Sequence, residues 1–239
     1  MTDHLHEIKK NPYPGRGIII GKTPDGKKAM ISYFIMGRSE NSRNRIFVME
    51  ENNLRTKAFD EKKMQDPSLV IYHPVLVLDE QTIVTNGDQS DTIYHFLTQE
   101  RTFEEALNTR TFEPDAPIFT PRISGLASVE HNELTYKLSI LKTLNGQEET
   151  TVRHFFNYSG TPAGVGHFIH TYDAYTAEYR NALPSFTGEP KTVSILDDVN
   201  EYVALLWESL DADNKVSLFA RTINLETRQT ESVIINKNT

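Results

Sequence analysis

Hydrophobic runs joined by tight-turn residues constrain the fold of this chain more than any other feature. A strand run with GIII, starting from Arg16, meets the turn signal Pro24-Asp25-Gly26, and a second apolar and aromatic run, AMISYFIM, follows it. Two such runs on either side of a Pro-Asp-Gly turn predict a β-hairpin. The pattern recurs: Tyr136, Leu138, Ile140 and Leu144 partly alternate before Asn145-Gly146, and 151–156 comes back. A last hairpin is expected from 216–225 and 230–236, and further strands at 45–49, 69–78 and 81–85.

Helical spacing interrupts the strands in two places. Between 90 and 110, Ile93, Phe96 and Leu97 share a helix face, and Thr102 with Glu105 makes a capping box for a second short helix. Farther on, Asp198 caps a helix with Glu201 at its third position and Val199, Tyr202, Val203 and Leu206 on one apolar face. Hairpins with few helices do not make the strand-helix-strand rhythm of a doubly wound fold. The expectation is α+β, with largely antiparallel sheets packed together and covered by helices. Without repeats, low-complexity tracts or a Pro/Gly-rich linker, one domain is expected over 15–239, behind a charged, polar tail at 1–14.

Charge narrows the function classes. The 25 Lys and Arg against 33 Asp and Glu give 25 − 33 = −8, which disfavours broad contact with nucleic acid or an anionic membrane. An anionic ligand must then be met by a local basic cluster. The absence of cysteine excludes disulfides, thiolate metal sites and cysteine nucleophiles. No stretch approaches the roughly 18 apolar residues of a spanning helix, and the first residues carry no signal-peptide core, so a cytoplasmic protein is expected.

Three segments concentrate polar chemistry. GRSENSRNR places Arg38, Arg43 and Arg45 after a hydrophobic strand; it is either a solvated loop of ion pairs or a phosphate site, since guanidinium forks match phosphate oxygens. FEPDAPIFTPR carries Glu113, Asp115, Thr120 and Arg122 among three prolines, either a stiff turn or a rigid scaffold for a site. The segment 160–190, with GVGHFIHTYD and LPSFTGEP, has the composition of binding loops. His167 and His170, three apart on extended chain, point to opposite faces, so no metal is expected. No Gly-x-Ser-x-Gly elbow occurs, and Thr2, the residue exposed by loss of Met1, opens a charged segment expected in solvent.

Together, GRGIIIGKTPDGK, Arg38-Ser39, Asn44-Arg45, Tyr72, Asn86-Gly87 and FEPDAPIFTPRI resemble the archaeal-type IMP cyclohydrolase family and its bacterial relatives. HTYD and LPSFTGEP are similar to later blocks of the bacterial branch. The resemblance implies a four-layer α-β-β-α sandwich like that of N-terminal nucleophile hydrolases, without the processed nucleophile, in a homo-oligomer, dimer or tetramer. It implies closure of 5-formamidoimidazole-4-carboxamide ribonucleotide to inosine 5′-monophosphate (IMP) with loss of water, without a cofactor.

By the same resemblance Arg45, Tyr72 and Glu113 meet the reacting amide and formyl groups: Arg45 as charge stabiliser, Tyr72 as donor, Glu113 as proton acceptor or orienting base. Arg38, Ser39 and Asn44 suit phosphate or ribose. Asn86, Gly87, Asp115, Thr120, Arg122, His170 and Tyr172 would complete the substrate site. One departure stands out: AYTAEYRNA separates HTYD from LPSF where a shorter acidic, glycine-containing loop is expected. Three other readings remain at this point: a ribotide sensor without turnover, an amide hydrolase on the same fold, and a structural or protein-binding domain.

Overall fold

The computed structural model describes residues 5–64, 67, 70–173 and 183–239. The departing loop AYTAEYRNA, at 174–182, and Thr2 lie outside the described residues. The first hairpin forms as the turn signal predicts: β1 (Arg16–Lys22) and β2 (Lys28–Met36) pair antiparallel, with Gly26 at φ 72° in the turn. After a single helical turn, α2 (Glu40–Arg43), come β3 (Arg45–Glu50) and β4 (Asn53–Ala58). Next are β5 (Val75–Leu78), β6 (Gln81–Thr85) and the helices α3 (Gln89–Leu97) and α4 (Phe103–Asn108). The long strands β7 (Arg122–Glu130), β8 (Glu133–Leu144) and β9 (Gln147–Tyr158) follow, then β10 (Val165–His170) and β11 (Lys191–Ser194). Helix α5 (Val199–Ser209) leads to the closing hairpin of β12 (Lys215–Asn224) and β13 (Thr230–Asn236). A short helical turn at His6–Lys9 precedes them all, and we number it α1.

The strands form two sheets, in the orders β11-β10-β1-β2-β12-β13 and β3-β4-β5-β6-β7-β8-β9. Every pairing among the described strands is antiparallel. The fold is thus α+β, with mostly antiparallel sheets and few helices, as the hairpin pattern predicts.

Successive strand residues face opposite sides of a sheet. Ile18 and Ile20 of β1, with Tyr33 and Ile35 of β2, join Val84, Ile123, Leu138 and Ile140 of the second sheet in one core cluster. Ile19, Phe34 and Phe168 point the other way and pack with Tyr202, Val203 and Leu206 of α5. On the second sheet Ile83, Leu126 and Leu141 pack with Ile93, Phe103 and Leu107 from α3 and α4. This is why GIII and AMISYFIM are almost wholly apolar and aromatic: both faces of those strands are covered. Each fully buried Ile or Phe side chain contributes about 1.5–3 kcal/mol.

Caps hold the helices where the sequence places them. Thr102 Oγ1 accepts from Glu105 N at 3.1 Å, and Glu105 Oε2 accepts from Thr102 N at 2.8 Å. Asp198 Oδ1 accepts from Glu201 N at 2.8 Å. Thr102→Ala removes one of the two reciprocal caps on α4 and is expected to cost about 1 kcal/mol, read as a lower urea midpoint.

Three expectations need correction. Of the strand expected at 69–78, residue 69 lies outside the described residues and only Val75–Leu78 forms, because Tyr72 N donates to the Thr56 hydroxyl instead of to a ladder carbonyl and Pro74 has no N–H to give. The segment 160–190 is not all loop: 165–170 is a strand paired along β1. From Leu5 on, the expected polar tail is anchored, with Leu5, Ile8 and Tyr13 buried against the α5 side of the first sheet. There Asn11 Nδ2 donates to Tyr172 O at 2.6 Å.

Candidate active site

The sequence-predicted site residues converge because they sit at strand ends that meet at one edge of the paired sheets. Arg16 opens β1, the Arg cluster follows β2, Arg45 opens β3, Asn86 follows β6, Arg122 opens β7, and Tyr172 follows β10. Glu113 lies on the connection between α4 and β7.

One helical turn deals the three arginines of GRSENSRNR to three environments. Ser39 and Ser42 cap each other, Ser42 N donating to Ser39 Oγ at 3.1 Å and Ser39 N to Ser42 Oγ at 3.0 Å. Arg38, before the turn, lies over the Tyr13 ring, 4.9 Å from its centroid. Arg43 turns aside and donates to Gly37 O and Asn214 Oδ1. Arg45 is fully buried; its Nε donates to Ser42 O at 2.9 Å, while Nη1 and Nη2 are buried with no acceptor among the described residues. Burial and the neighbouring Arg16 charge hold its pKa below the usual guanidinium value. Asn44, expected at phosphate or ribose, spends its amide on Asp60, donating to the carbonyl at 2.8 Å and accepting from the N–H at 2.7 Å.

Two phenols and a carboxyl group are buried within reach of the Arg45 charge. Tyr72 and Tyr33 share a hydrogen bond of 2.8 Å between hydroxyls, and burial raises both above the usual tyrosine range. Glu113 is 3% exposed, and its carboxyl is pushed up to about 7 by burial, which outweighs the opposing charges of Arg16, Arg122 and Arg45. Its backbone N–H donates to Thr120 O at 2.9 Å. Beneath it lies a fixed polar shell. Asn86 Nδ2 donates to Glu113 Oε1 at 3.3 Å and to Pro121 O at 2.9 Å, and its Oδ1 accepts from Gln89 and Ile123 N. Arg122 donates to Gln89 Oε1 at 2.7 Å and pairs with Asp88 at 2.8 Å. A Cβ on Gly87 would fall 2.6 Å from Arg122 Nη1 and 2.8 Å from Gln89 Oε1, so a side chain there would have to displace both. Asn86, Gly87 and Arg122 therefore support Glu113 from below.

A cleft of about 480 Å³ opens beside this group. Arg38, Ser39 and Ser42 line one part of it, and Asp115, Thr120 and Tyr172 another. Asp115 accepts from Thr120 N at 2.6 Å and from its hydroxyl at 2.5 Å, and that hydroxyl meets Tyr172 Oη at 2.8 Å. Two further lining residues, Tyr13 and Arg16, carry no role in the sequence reading. Tyr13 stacks on Tyr172 with centroids 6.1 Å apart, which makes it a wall of the cleft. Its signal was its place in YPGRG, directly before the first strand. Of the predicted residues, His170 does not line the cleft. It is packed between Phe168 and Phe186 and donates from Nδ1 to Tyr172 O at 2.9 Å; burial lowers its pKa to about 4. His170 thus fixes the backbone of Tyr172.

The family model described as IMP cyclohydrolase-like protein matches residues 13–228. The chain belongs to the IMP cyclohydrolase-like family. Compared with curated proteins, the sequence finds no match. The family match takes in every site residue named above, from Tyr13 to Tyr172, and it suggests a cyclohydrolase role and a nucleotide ligand. A space of about 690 Å³ beside the β8–β9 hairpin holds Lys142 and His154 but no carboxylate among its lining residues. Among the described residues no three His, Asp or Glu side chains converge as a metal-ligand group, and no helix is long and apolar enough to cross a membrane.

Proposed function

We propose that the protein closes 5-formamidoimidazole-4-carboxamide ribonucleotide to IMP, releasing water. The observation that carries the proposal is a buried carboxyl of pKa about 7, Glu113, grouped with Tyr72 and Arg45 beside an open, arginine-lined cleft. The cleft's volume of about 480 Å³ falls in the range of small-molecule sites, about 300–1,000 Å³.

The carboxamide nitrogen attacks the formyl carbon of the same molecule, so binding in the ring-closing rotamer removes much of the entropic barrier. One proton leaves the carboxamide nitrogen and one the formamido nitrogen, and the formyl oxygen departs as water. Glu113, poised near neutral pH, accepts the first proton and returns it to the leaving oxygen. Tyr72 stays protonated and donates to that oxygen, and the Arg45 charge stabilises it from the buried side. Arg38, Ser39 and the neighbouring Ser42 take the phosphate and ribose, and Asp115, Thr120 and Tyr172 orient the base and sugar. Asn86, Gly87, Arg122 and His170 act through the residues they hold.

In this reading the described sheets and helices are an α-β-β-α sandwich like that of N-terminal nucleophile hydrolases. The protein is a cytoplasmic homo-oligomer, dimer or tetramer, of one domain from residue 15 on, and no cofactor or metal takes part. Purified protein mixed with the formylated ribotide is expected to produce IMP, seen in the ultraviolet change of purine closure and by chromatography. A second reading, ribotide sensing, is favoured by one observation: neither Arg45, Tyr72 nor Glu113 lines the open cleft. It requires thermal stabilisation by IMP without turnover.

A further inference from the structure

Between the open cleft and the buried Arg45, Tyr72 and Glu113 stands one side chain, Arg16. It lines the cleft with Thr120 and Tyr172, and its charge acts on Glu113, Tyr72, Tyr172 and Arg45. Its root is fixed. Arg16 N donates to Thr171 Oγ1 at 3.2 Å, and the residue is in register with Ile35 of β2. Gly15 before it has φ 78°, and a Cβ there would fall 2.2 Å from Thr171 Oγ1. Only glycine brings the strand start this close to Tyr172.

Among the described residues, the Nε of the Arg16 guanidinium is buried with no hydrogen-bond partner, and no carboxylate lies within ion-pair distance of it. Arginine donors are costly to leave unsatisfied where water is excluded. Arg45, on which the Arg16 charge acts, has two more buried donors in the same condition. On its cleft side Arg16 presents a charged donor, near enough to Glu113 and Tyr72 for their charges to act on it, that suits an oxygen gaining negative charge.

Resting on the cyclohydrolase reading, we propose that Arg16 is a further catalytic residue, the guanidinium that donates from the cleft side to the formyl oxygen as the ring closes. The substrate's reacting oxygen is then held between Arg16 in front and the Arg45 charge behind. Phosphate stays with Arg38, Ser39 and Ser42 at the other part of the cleft.

Arg16 has a second effect, on the base. The groups acting on Glu113 are Arg16, Arg122, Arg45 and Asp115, with Asn86 hydrogen-bonded to its Oε1. Arg16 is the strongest of the influences that favour the carboxylate. Its removal moves Glu113 further up from about 7.

The test uses full-length Arg16→Gln and Arg16→Lys beside wild type. Thermal melts establish that each variant folds, IMP-induced stabilisation reads binding, and turnover is measured across pH. Arg16→Gln is expected to lower kcat by about 100-fold or more, keep KM within about threefold, and shift the acid limb of the rate profile upward. Arg16→Lys keeps the charge but not the fork, so the limb stays near wild type while kcat remains reduced. Wild-type turnover with Arg16→Gln within about threefold in kcat, or with an unmoved acid limb, overturns the assignment. Absence of turnover in wild type itself overturns the cyclohydrolase reading, and this inference with it.

Discussion

Glu113→Gln is expected to lower kcat by about 10²–10⁴-fold, the usual worth of a positioned acid–base group, while IMP still binds. Gln keeps the shape and accepts from Asn86 through its carbonyl, but it takes up no proton at neutral pH. In wild type the acid limb of kcat/KM follows the free enzyme's base, so the rate rises with pH through about 7, the value to which burial pushes Glu113. A wild-type limb near the ordinary carboxylate value contradicts this assignment.

The same carboxyl links stability to pH. Its folded pKa of about 7 lies above the ordinary 4.5. The native state therefore holds the proton more tightly than the unfolded chain. Its contribution is full below the unfolded pKa and is lost as pH rises through about 7. Above that pH wild type is expected to be less stable than Glu113→Gln by about 3 kcal/mol, relative to their difference in acid. Urea titrations at the two pH extremes measure this, and a difference that does not change with pH contradicts it.

Arg45→Met is expected to stabilise the fold by about 1–2 kcal/mol and to reduce turnover by about 100-fold or more. Arg45 is fully buried, two of its nitrogens have no acceptor among the described residues, and it is repelled by Arg16. Methionine fills similar volume without a charge to desolvate; the one hydrogen bond lost is that from Nε to Ser42 O. In a chain of this size the gain appears as a rise in Tm of about 2–4 °C per kcal/mol. A variant that is less stable yet inactive makes Arg45 a packing residue; one that is more stable and fully active removes it from the site. The expected combination places uncompensated charge at a site that awaits an anionic or oxyanion partner.

What was legible in the sequence was whatever a local period or turn encodes. The Asp25-Gly26 and Asn145-Gly146 turns, the Thr102 and Asp198 caps and the α5 face all lie where their residues predict. Strand β4 escaped because Arg55 and Lys57 obscure the alternation of buried Leu54 and Thr56. Strand β10 was hidden by the glycine and histidines of VGHFIH, whose burial comes from neighbours far along the chain.

For the site, the family motifs named Glu113, Tyr72 and Arg45, and the structure brings them together. What the motifs do not carry is depth. Arg38, Arg43 and Arg45 look alike in sequence, and a single helical turn decides which meets the cleft, which turns aside and which is buried. Asn44, Asn86 and His170 are polar residues whose donors and acceptors are spent on backbone or on other side chains. Tyr13 and Arg16 become site residues only when the N-terminal segment packs beside Tyr172.

The most direct test is a single-turnover mixing of metal-free wild-type protein, in excess, with the formylated ribotide from about pH 5.5 to 8.5, with Glu113→Gln alongside. The account predicts IMP formation by wild type at a rate that rises through an apparent pKa of about 7, and binding without closure by the variant. Tight binding by wild type with no IMP, or equal rates for the two proteins, would contradict it.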